Sequence, residues 1–280
     1  MSTVTDTLQI AIRALAAHSE SPELDAEVLL STAMGVTRSA LIVRGSEPVG
    51  SELREAYRAL IERRAQGVPV AYLTGSREFW SLPLKVTPAV LVPRPETELL
   101  VETALEVVPK GEARSVLDLG TGSGAIALAI ASERPHAAVT GVDVSPAALG
   151  VARDNARTLA LTNVLWRLGS WFDAVPGERF HAIVANPPYV AAGDPALAAL
   201  AAEPELALVG GSSGLDALAA IVAAAAPHLE RGGWLLLEHG HTQQREVAAM
   251  LERSGFGNIE TREDFSGRPR VTRSTFQPPH

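Results

Sequence analysis

From the start of the chain to about residue 67, apolar positions recur at helical rather than strand spacing. Ser21-Pro22-Glu23 reads as an N-cap followed by proline at the first helical position, with Leu24, Val28 and Leu29 behind it. Glu52 to Ala65 is charged on one side and carries Leu53, Tyr57, Leu60 and Ile61 on the other. The pattern predicts a small helical bundle over 1–67. Between Val68 and Val92 the aromatic and aliphatic positions Tyr72, Phe79, Trp80, Leu82, Leu84 and Val86 are broken by Gly75, Pro83 and Pro88, which predicts a hairpin or extended linker over 68–92.

The remainder, 93–280, changes period repeatedly. Strands are expected at Ser115–Leu119, Ala138–Val142, Val164–Leu168, Phe180–Ala185, Trp234–Glu238, Asn258–Thr261 and Val271–Phe276. Helical patterns occupy Leu99–Val108, Ala125–Ser132, Pro146–Leu159, Leu215–Leu229 and Gln243–Ser254, and the Ala-rich stretch Ala191–Ala202 also reads as helix. Strands alternating with crossover helices predict a doubly wound α/β domain with a mainly parallel sheet. The last two strands are joined by a loop too short for a helix and are expected to pair antiparallel.

Composition narrows the class. Hydrophobic residues make up 46% of the 280 and charged residues 20%, values of an ordinary folded protein. No stretch has the roughly 18 uninterrupted apolar residues of a membrane helix, and Met1 to Ile10 has neither the basic start nor the apolar core of a secretion signal. The chain has no cysteine, so disulfides, thiolate metal sites and cysteine nucleophiles are excluded. The expectation is a soluble, cytoplasmic protein without a metal centre. Of the net charge of −8, residues 1–85 carry −1 and the rest −7. Neither part has the basic excess that a duplex DNA binder uses to displace phosphate counterions.

Two segments carry chemistry. The first strand of the α/β region runs into Asp118-Leu119-Gly120-Thr121-Gly122-Ser123-Gly124 and then directly into an Ala/Ile/Leu helix. Glycines there let a ligand approach the backbone and the helix N-terminus. The second strand ends at Asp143, 19 residues after Gly124, near the spacing expected of an acid that binds ribose hydroxyls. The glycines follow Gly-x-Gly-x-Gly, unlike the Gly-x-Gly-x-x-Gly of dinucleotide sites; a nicotinamide-dependent enzyme is the lesser alternative. The fourth strand ends in Asn186-Pro187-Pro188-Tyr189. At the carboxyl end of a sheet strand this tetrapeptide faces the ligand crevice. Two prolines stiffen the turn and remove donors, so the Asn186 side-chain oxygen and the Pro187 carbonyl can both accept from one planar NH2 group, against the flat wall of Tyr189. That arrangement suits holding an amide or aryl amine, whose delocalised lone pair needs positioning and electrostatic help before it can act as a nucleophile.

The glycine loop is similar to the first motif of class I S-adenosylmethionine-dependent methyltransferases. Asn-Pro-Pro-Tyr occurs in those acting on glutamine amides and in those acting on the exocyclic nitrogen of adenine. Pro69-Val70-Ala71-Tyr72-Leu73-Thr74-Gly75, Glu78-Phe79-Trp80, Val92-Pro93-Arg94-Pro95-Glu96-Thr97-Glu98, Glu203-Pro204, Leu237-Glu238-His239-Gly240 and Asp25-Ala26-Glu27-Val28-Leu29-Leu30 together resemble the protein-(glutamine-N5) methyltransferases of the HemK/PrmC family over nearly the whole chain. The resemblance implies a helical substrate-recognition domain, a hairpin linker and a Rossmann-like catalytic domain. It implies methylation of the glutamine in the Gly-Gly-Gln motif of peptide chain release factors, with S-adenosyl-L-methionine as cofactor and S-adenosyl-L-homocysteine as product. Carried over by position, Gly120, Thr121, Gly122, Ser123 and Gly124 line the methionine end of the cofactor, Asp143 holds the ribose, and Trp171 lies by the adenine. Asn186, Pro187, Pro188 and Tyr189 hold the substrate glutamine, with Asn186 also beside the cofactor. The family's usual acid before the aromatic is replaced here by Ser170, a weaker acceptor for an adenine amino group. Arg94 and Glu96 are expected to brace the site entrance or bridge the domains, and Glu238 and His239 to be structural. The alternatives are an adenine-N6 methyltransferase acting on nucleic acid, against which the acidic charge speaks, and a non-catalytic cofactor-binding adaptor, against which the intact Asn-Pro-Pro-Tyr speaks.

Overall fold

The computed structural model describes residues 2–276, which form two compact units. The first holds Met1–Ser76 with Ala199–Ala202, the second Arg77–Ala198 with Glu203–His280.

The first unit is helical: α1 (Val4–Leu15), α2 (Pro22–Met34), α3 (Arg38–Val43), α4 (Ser51–Ala65) and α5 (Val70–Thr74). Thr3 and Asp6 form a capping box at the start of α1, each side chain satisfying the other's backbone N–H. Ser21 precedes α2 as its sequence suggests, but its hydroxyl makes no capping bond; Pro22 alone sets the entry. The core is built from Leu15, Leu29, Leu30, Leu41, Tyr57 and Ile61. Inside it the Tyr57 hydroxyl donates to the Ala26 carbonyl at 2.9 Å, and at its edge Arg64 pairs with Asp25 at 2.7 Å. Helix α5 lies where the sequence pattern expects extended chain, because Tyr72 finds a buried position.

Next along the chain is a hairpin, β1 (Ser76–Phe79) and β2 (Leu82–Lys85), turned by Trp80 and Ser81, both at positive φ, and all but its first residue belongs to the second unit. After α6 (Glu98–Val107) come β3 (Ser115–Leu119), α7 (Ala125–Glu133), β4 (Ala138–Asp143), α8 (Pro146–Thr158), β5 (Val164–Leu168), β6 (Phe180–Ala185), α9 (Asp216–Ala225), β7 (Leu229–Glu238), α10 (Gln244–Arg253), β8 (Phe256–Glu263) and β9 (Pro269–Phe276). One seven-stranded sheet has the order β5-β4-β3-β6-β7-β9-β8. Only β9 runs against the others, pairing antiparallel with β7 and β8. The central strands are buried on both faces, in keeping with their mainly apolar sequences. From β3 the chain first winds outward to β4 and β5, then returns to β6 on the other side of β3. That reversal opens a crevice at the carboxyl ends of β3 and β6, the usual ligand position in such sheets.

The Ala-rich run is not an α-helix. Pro195–Leu200 forms only a 3-10 turn with none of its residues buried, so no packed face supports a helix there. Helix α9 likewise stops at Ala225, and Pro227 lies in the 3-10 turn that follows.

Candidate active site

The register of β3 against its two neighbours brings the predicted motifs together. Leu119 pairs with Val142 on β4 and with Ala185 on β6, so the glycine loop, Asp143 and Asn186 leave the sheet side by side. A cavity of about 340 Å³ lies above them. Its wall takes Gly120 and Gly122 from the loop, Asp143 to Ser145 from the end of β4, Ser170 and Trp171 from the turn after β5, and Pro188 from the end of β6. The far side is formed by Ala89 to Leu91 and by Pro204, Leu206, Ala207 and Val209. These two segments are clamped by Glu203, whose carboxylate accepts from the Val92 N–H at 3.0 Å and pairs with the Arg94 guanidinium. The Arg94 ion pair therefore braces the cavity within the second unit.

Within the loop, Gly124 takes φ of +83° to start α7, and a Cβ there would press on Trp166 and Leu128. Thr121 and Ser123 are buried behind the cavity wall. The Thr121 hydroxyl donates to Asp118 Oδ2 at 2.5 Å, and the Ser123 carbonyl accepts from Asn155 Nδ2 at 2.9 Å. Asp143 Oδ2 accepts from the Gly122 N–H and Oδ1 from the Ser145 N–H, both at 2.8 Å. Ser145 itself caps α8 through the Ala148 N–H. Asp143 is thus free of capping duty, and each of its oxygens keeps a lone pair for a ligand hydroxyl.

At the end of β6, Asn186 Nδ2 donates to the Thr97 hydroxyl oxygen at 3.1 Å, which leaves Oδ1 uncommitted. The Tyr189 hydroxyl donates to Glu238 Oε1 at 3.3 Å. The turn is held from behind by Gln243, whose Nε2 donates to the Tyr189 carbonyl at 3.0 Å. The backbone packs so closely that a Cβ on Gly210 would collide with the Pro188 carbonyl, and one on Gly214 with the Tyr189 carbonyl. Burial pushes the Glu238 carboxyl up to about 7, and burial together with the Glu238 charge raises the Tyr189 phenol.

The chain is similar to known proteins over most of its length. Residues 6–75 match the family described as PrmC N-terminal domain, and residues 95–203 match the methyltransferase small domain. A release factor glutamine methyltransferase from Xylella fastidiosa (strain Temecula1) is 48% identical over 264 residues, 93% of this chain and 96% of that protein. One of the same name from Salmonella typhimurium (strain LT2) is 47% identical over 262 residues, 93% and 94% of the two chains. This chain belongs to the release factor glutamine methyltransferase family. Solved structures support the fold. A methyltransferase from Pyrococcus furiosus superposes with a TM-score of 0.54 at 20% identity, over 70% of this chain and 89% of that one. A 16S rRNA N2 G1207 methyltransferase of T. Thermophilus gives 0.55 at 24% identity, over 72% and 50%. The second unit of this family member is therefore a Rossmann-like class I methyltransferase domain with a seven-stranded sheet.

Several residues around the candidate site act on segments distant in the chain. Thr97 and Glu203 stand within motifs the sequence offers, though nothing there shows which residues they pair with; Asn155, Gln243 and the glycines of Gly210–Gly214 have no local signal. Asp118 is the acid before the glycines, and its carboxyl is fully buried. Besides Thr121, its Oδ2 accepts from the Ala127 N–H at 3.2 Å, while Oδ1 has no partner among the described residues. Burial, with a smaller contribution from the Asp143 charge, pushes this carboxyl up to about 7. The folded state then keeps a proton that the unfolded chain releases near the ordinary carboxylate range, so Asp118 favours folding at low pH and loses that contribution as pH rises toward 7. Asp118→Asn has no such titration. Its thermal midpoint is expected to improve relative to wild type as pH is raised from about 5 to 8. A difference that stays flat across that range would place Asp118 among ordinary carboxylates.

Proposed function

We propose that this enzyme transfers a methyl group from S-adenosylmethionine to the side-chain nitrogen of a glutamine in peptide chain release factors, at their Gly-Gly-Gln motif. The observation that carries the reading is the pair of free acceptors at the end of β6. With Nδ2 spent on Thr97, Asn186 offers Oδ1 to the crevice, and the Pro187 carbonyl stands next to it without a competing donor in the turn. Two acceptors beside one planar amide hold both of its protons, raise the electron density on nitrogen and fix its direction of approach. Tyr189 and Pro188 confine the amide plane.

The residues present fit the cofactor. The cavity has the size of a small-molecule site. Its wall places an acid for ribose hydroxyls at Asp143, bare backbone at Gly120 and Gly122, and apolar surface for a base at Trp171, Val144 and Ala148. When bound, S-adenosylmethionine would supply an electrophilic methyl; one amide proton leaves the nitrogen after transfer, and the products are N5-methylglutamine, S-adenosylhomocysteine and that proton. Asp143 binds the ribose, Gly120 to Gly124 shape the methionine end, and Ser170 with Trp171 contacts the adenine. A glutamine side chain offers little contact area, whereas specific protein partners bury about 800 Å² each; the helical unit is proposed to supply part of the docking surface.

The test is incorporation of labelled methyl from S-adenosylmethionine into purified release factor, beside adenine-containing DNA and RNA. Label in release factor and none in nucleic acid is expected. The reverse would establish the adenine-N6 alternative, and cofactor binding without transfer to any of them would leave an adaptor.

A further inference from the structure

Two uncommitted groups meet behind the amide clamp. Thr97 is buried in the turn before α6, and its oxygen accepts from Asn186 Nδ2. Among the described residues its own proton has no partner at ordinary hydrogen-bond distance, only the nearby Glu238 carboxyl. Glu238 ends β7, is 1% exposed, and receives the Tyr189 hydroxyl on Oε1, while Oε2 has no partner among the described residues. The Thr97 hydroxyl lies close enough to this carboxyl to oppose the effect of burial on it. A buried acceptor without a donor is costly, and a hydroxyl proton rotates to suit its surroundings.

We infer that Thr97 and Glu238 are positioning residues that set which end of the Asn186 amide faces the crevice. The carboxylate accepts only, so it draws the Thr97 proton toward Oε2. Thr97 can then offer Asn186 nothing but a lone pair. An amide meeting a lone pair turns its NH2 toward it, and Oδ1 is left pointing at the substrate. Without the carboxylate, Thr97 can donate to Oδ1 instead, which turns the NH2 into the crevice. Two donors would then face the substrate amide's own protons. This deepens the function proposed above and rests on Asn186 acting as an acceptor.

The prediction is a kcat effect separated from binding. Thr97→Val keeps the shape but removes the hydroxyl; it is expected to lower kcat at least about tenfold on purified release factor, by misaligning a preorganised group, with KM and cofactor affinity within about twofold. Thr97→Ser restores the hydroxyl and is expected to recover most of the activity. Glu238→Gln is expected to lose as much as Thr97→Val, and the double variant no more than either alone, because both act through one relay. The pH profile gives a further readout. The groups facing Glu238 are Tyr189 and Thr97, Arg270 on β9 and Glu96 in the turn before α6; His239, next in the chain, has its ring on the Gly240 carbonyl and the Thr272 hydroxyl instead. Wild-type kcat should rise as Glu238 ionises through neutral pH, and this rise should vanish in Glu238→Gln.

A measurement independent of turnover is the side-chain NH2 signal of Asn186 by nuclear magnetic resonance, expected to be protected from exchange in wild type and Thr97→Ser and unprotected in Thr97→Val. Far-UV circular dichroism and cofactor titration confirm folding; should Thr97→Val unfold, Glu238→Gln carries the same comparison. Wild-type kcat in Thr97→Val, or a Thr97→Ser variant as impaired as Thr97→Val, would overturn the relay. A wild-type enzyme that methylates no release factor would instead remove the proposed function, while the Asn186 NH2 signal would still decide the relay.

Discussion

Replacing Asn186 by alanine is expected to lower kcat on release factor by about 100-fold or more while leaving cofactor affinity within about twofold. The size follows from what this side chain does in the reaction. A preorganised polar group acting on charge that develops in the transition state is worth roughly 10²–10³ in rate, and Asn186 Oδ1 is held ready by the bond from Nδ2 to Thr97. Cofactor affinity is spared because the cavity wall is formed by the glycine loop, Asp143 and the Ser170–Trp171 turn rather than by the Asn186 side chain. Single-turnover kinetics and calorimetry on the same sample separate the two quantities. Turnover within a few-fold of wild type would refute the amide clamp.

Asp143→Ala is expected to do the opposite. It removes a charged acceptor for two ribose hydroxyls, and hydrogen bonds to charged groups contribute roughly 1.5–3 kcal/mol, so cofactor affinity should fall about tenfold or more. It also frees the Gly122 N–H from its 2.8 Å bond and loosens the loop that approaches the ligand. The fold should survive, because Ser145 continues to cap α8 and the loop stays anchored by Asp118 and Asn155. An unchanged affinity measured by calorimetry in a folded Asp143→Ala protein would remove Asp143 from the cofactor site.

The two variants also mark what is legible in the sequence. β3 and β6 can be read residue for residue, because strands buried on both faces are written as short, mainly apolar runs bounded by turns, here interrupted only by Ser115 and Asp118 in β3 and His181 in β6. β7 starts at Leu229, earlier than its apolar run suggests, since Glu230, Arg231, Gly232 and Gly233 hide its first half and the pairing with β6 shifts there. The Ala-rich run shows the converse failure: helix propensity without a buried face does not make a helix. In the site, the glycine loop and Asn186-Pro187-Pro188-Tyr189 are legible because contiguous residue types carry their chemistry. Thr97 stands within a recognisable motif, yet its partner Asn186 is 89 positions away, and Gln243 reaches Tyr189 across 54. Glu203 clamps Val92 from 111 positions away. Such bonds follow from the order of the strands, and no local periodicity records them. Glu238 reads as a strand end; only the folded structure shows its carboxyl buried against Tyr189 with an oxygen unpaired.

The central claim is that this active site holds a glutamine amide of a release factor. Its most direct test is fragmentation mass spectrometry of purified release factor after incubation with the enzyme and S-adenosylmethionine. The expected result is a single methyl group on the side-chain nitrogen of the glutamine in the Gly-Gly-Gln motif, absent when Asn186→Ala replaces the wild-type enzyme. A methyl group on any other residue, or release factor left unmodified by an enzyme that binds its cofactor, would contradict it.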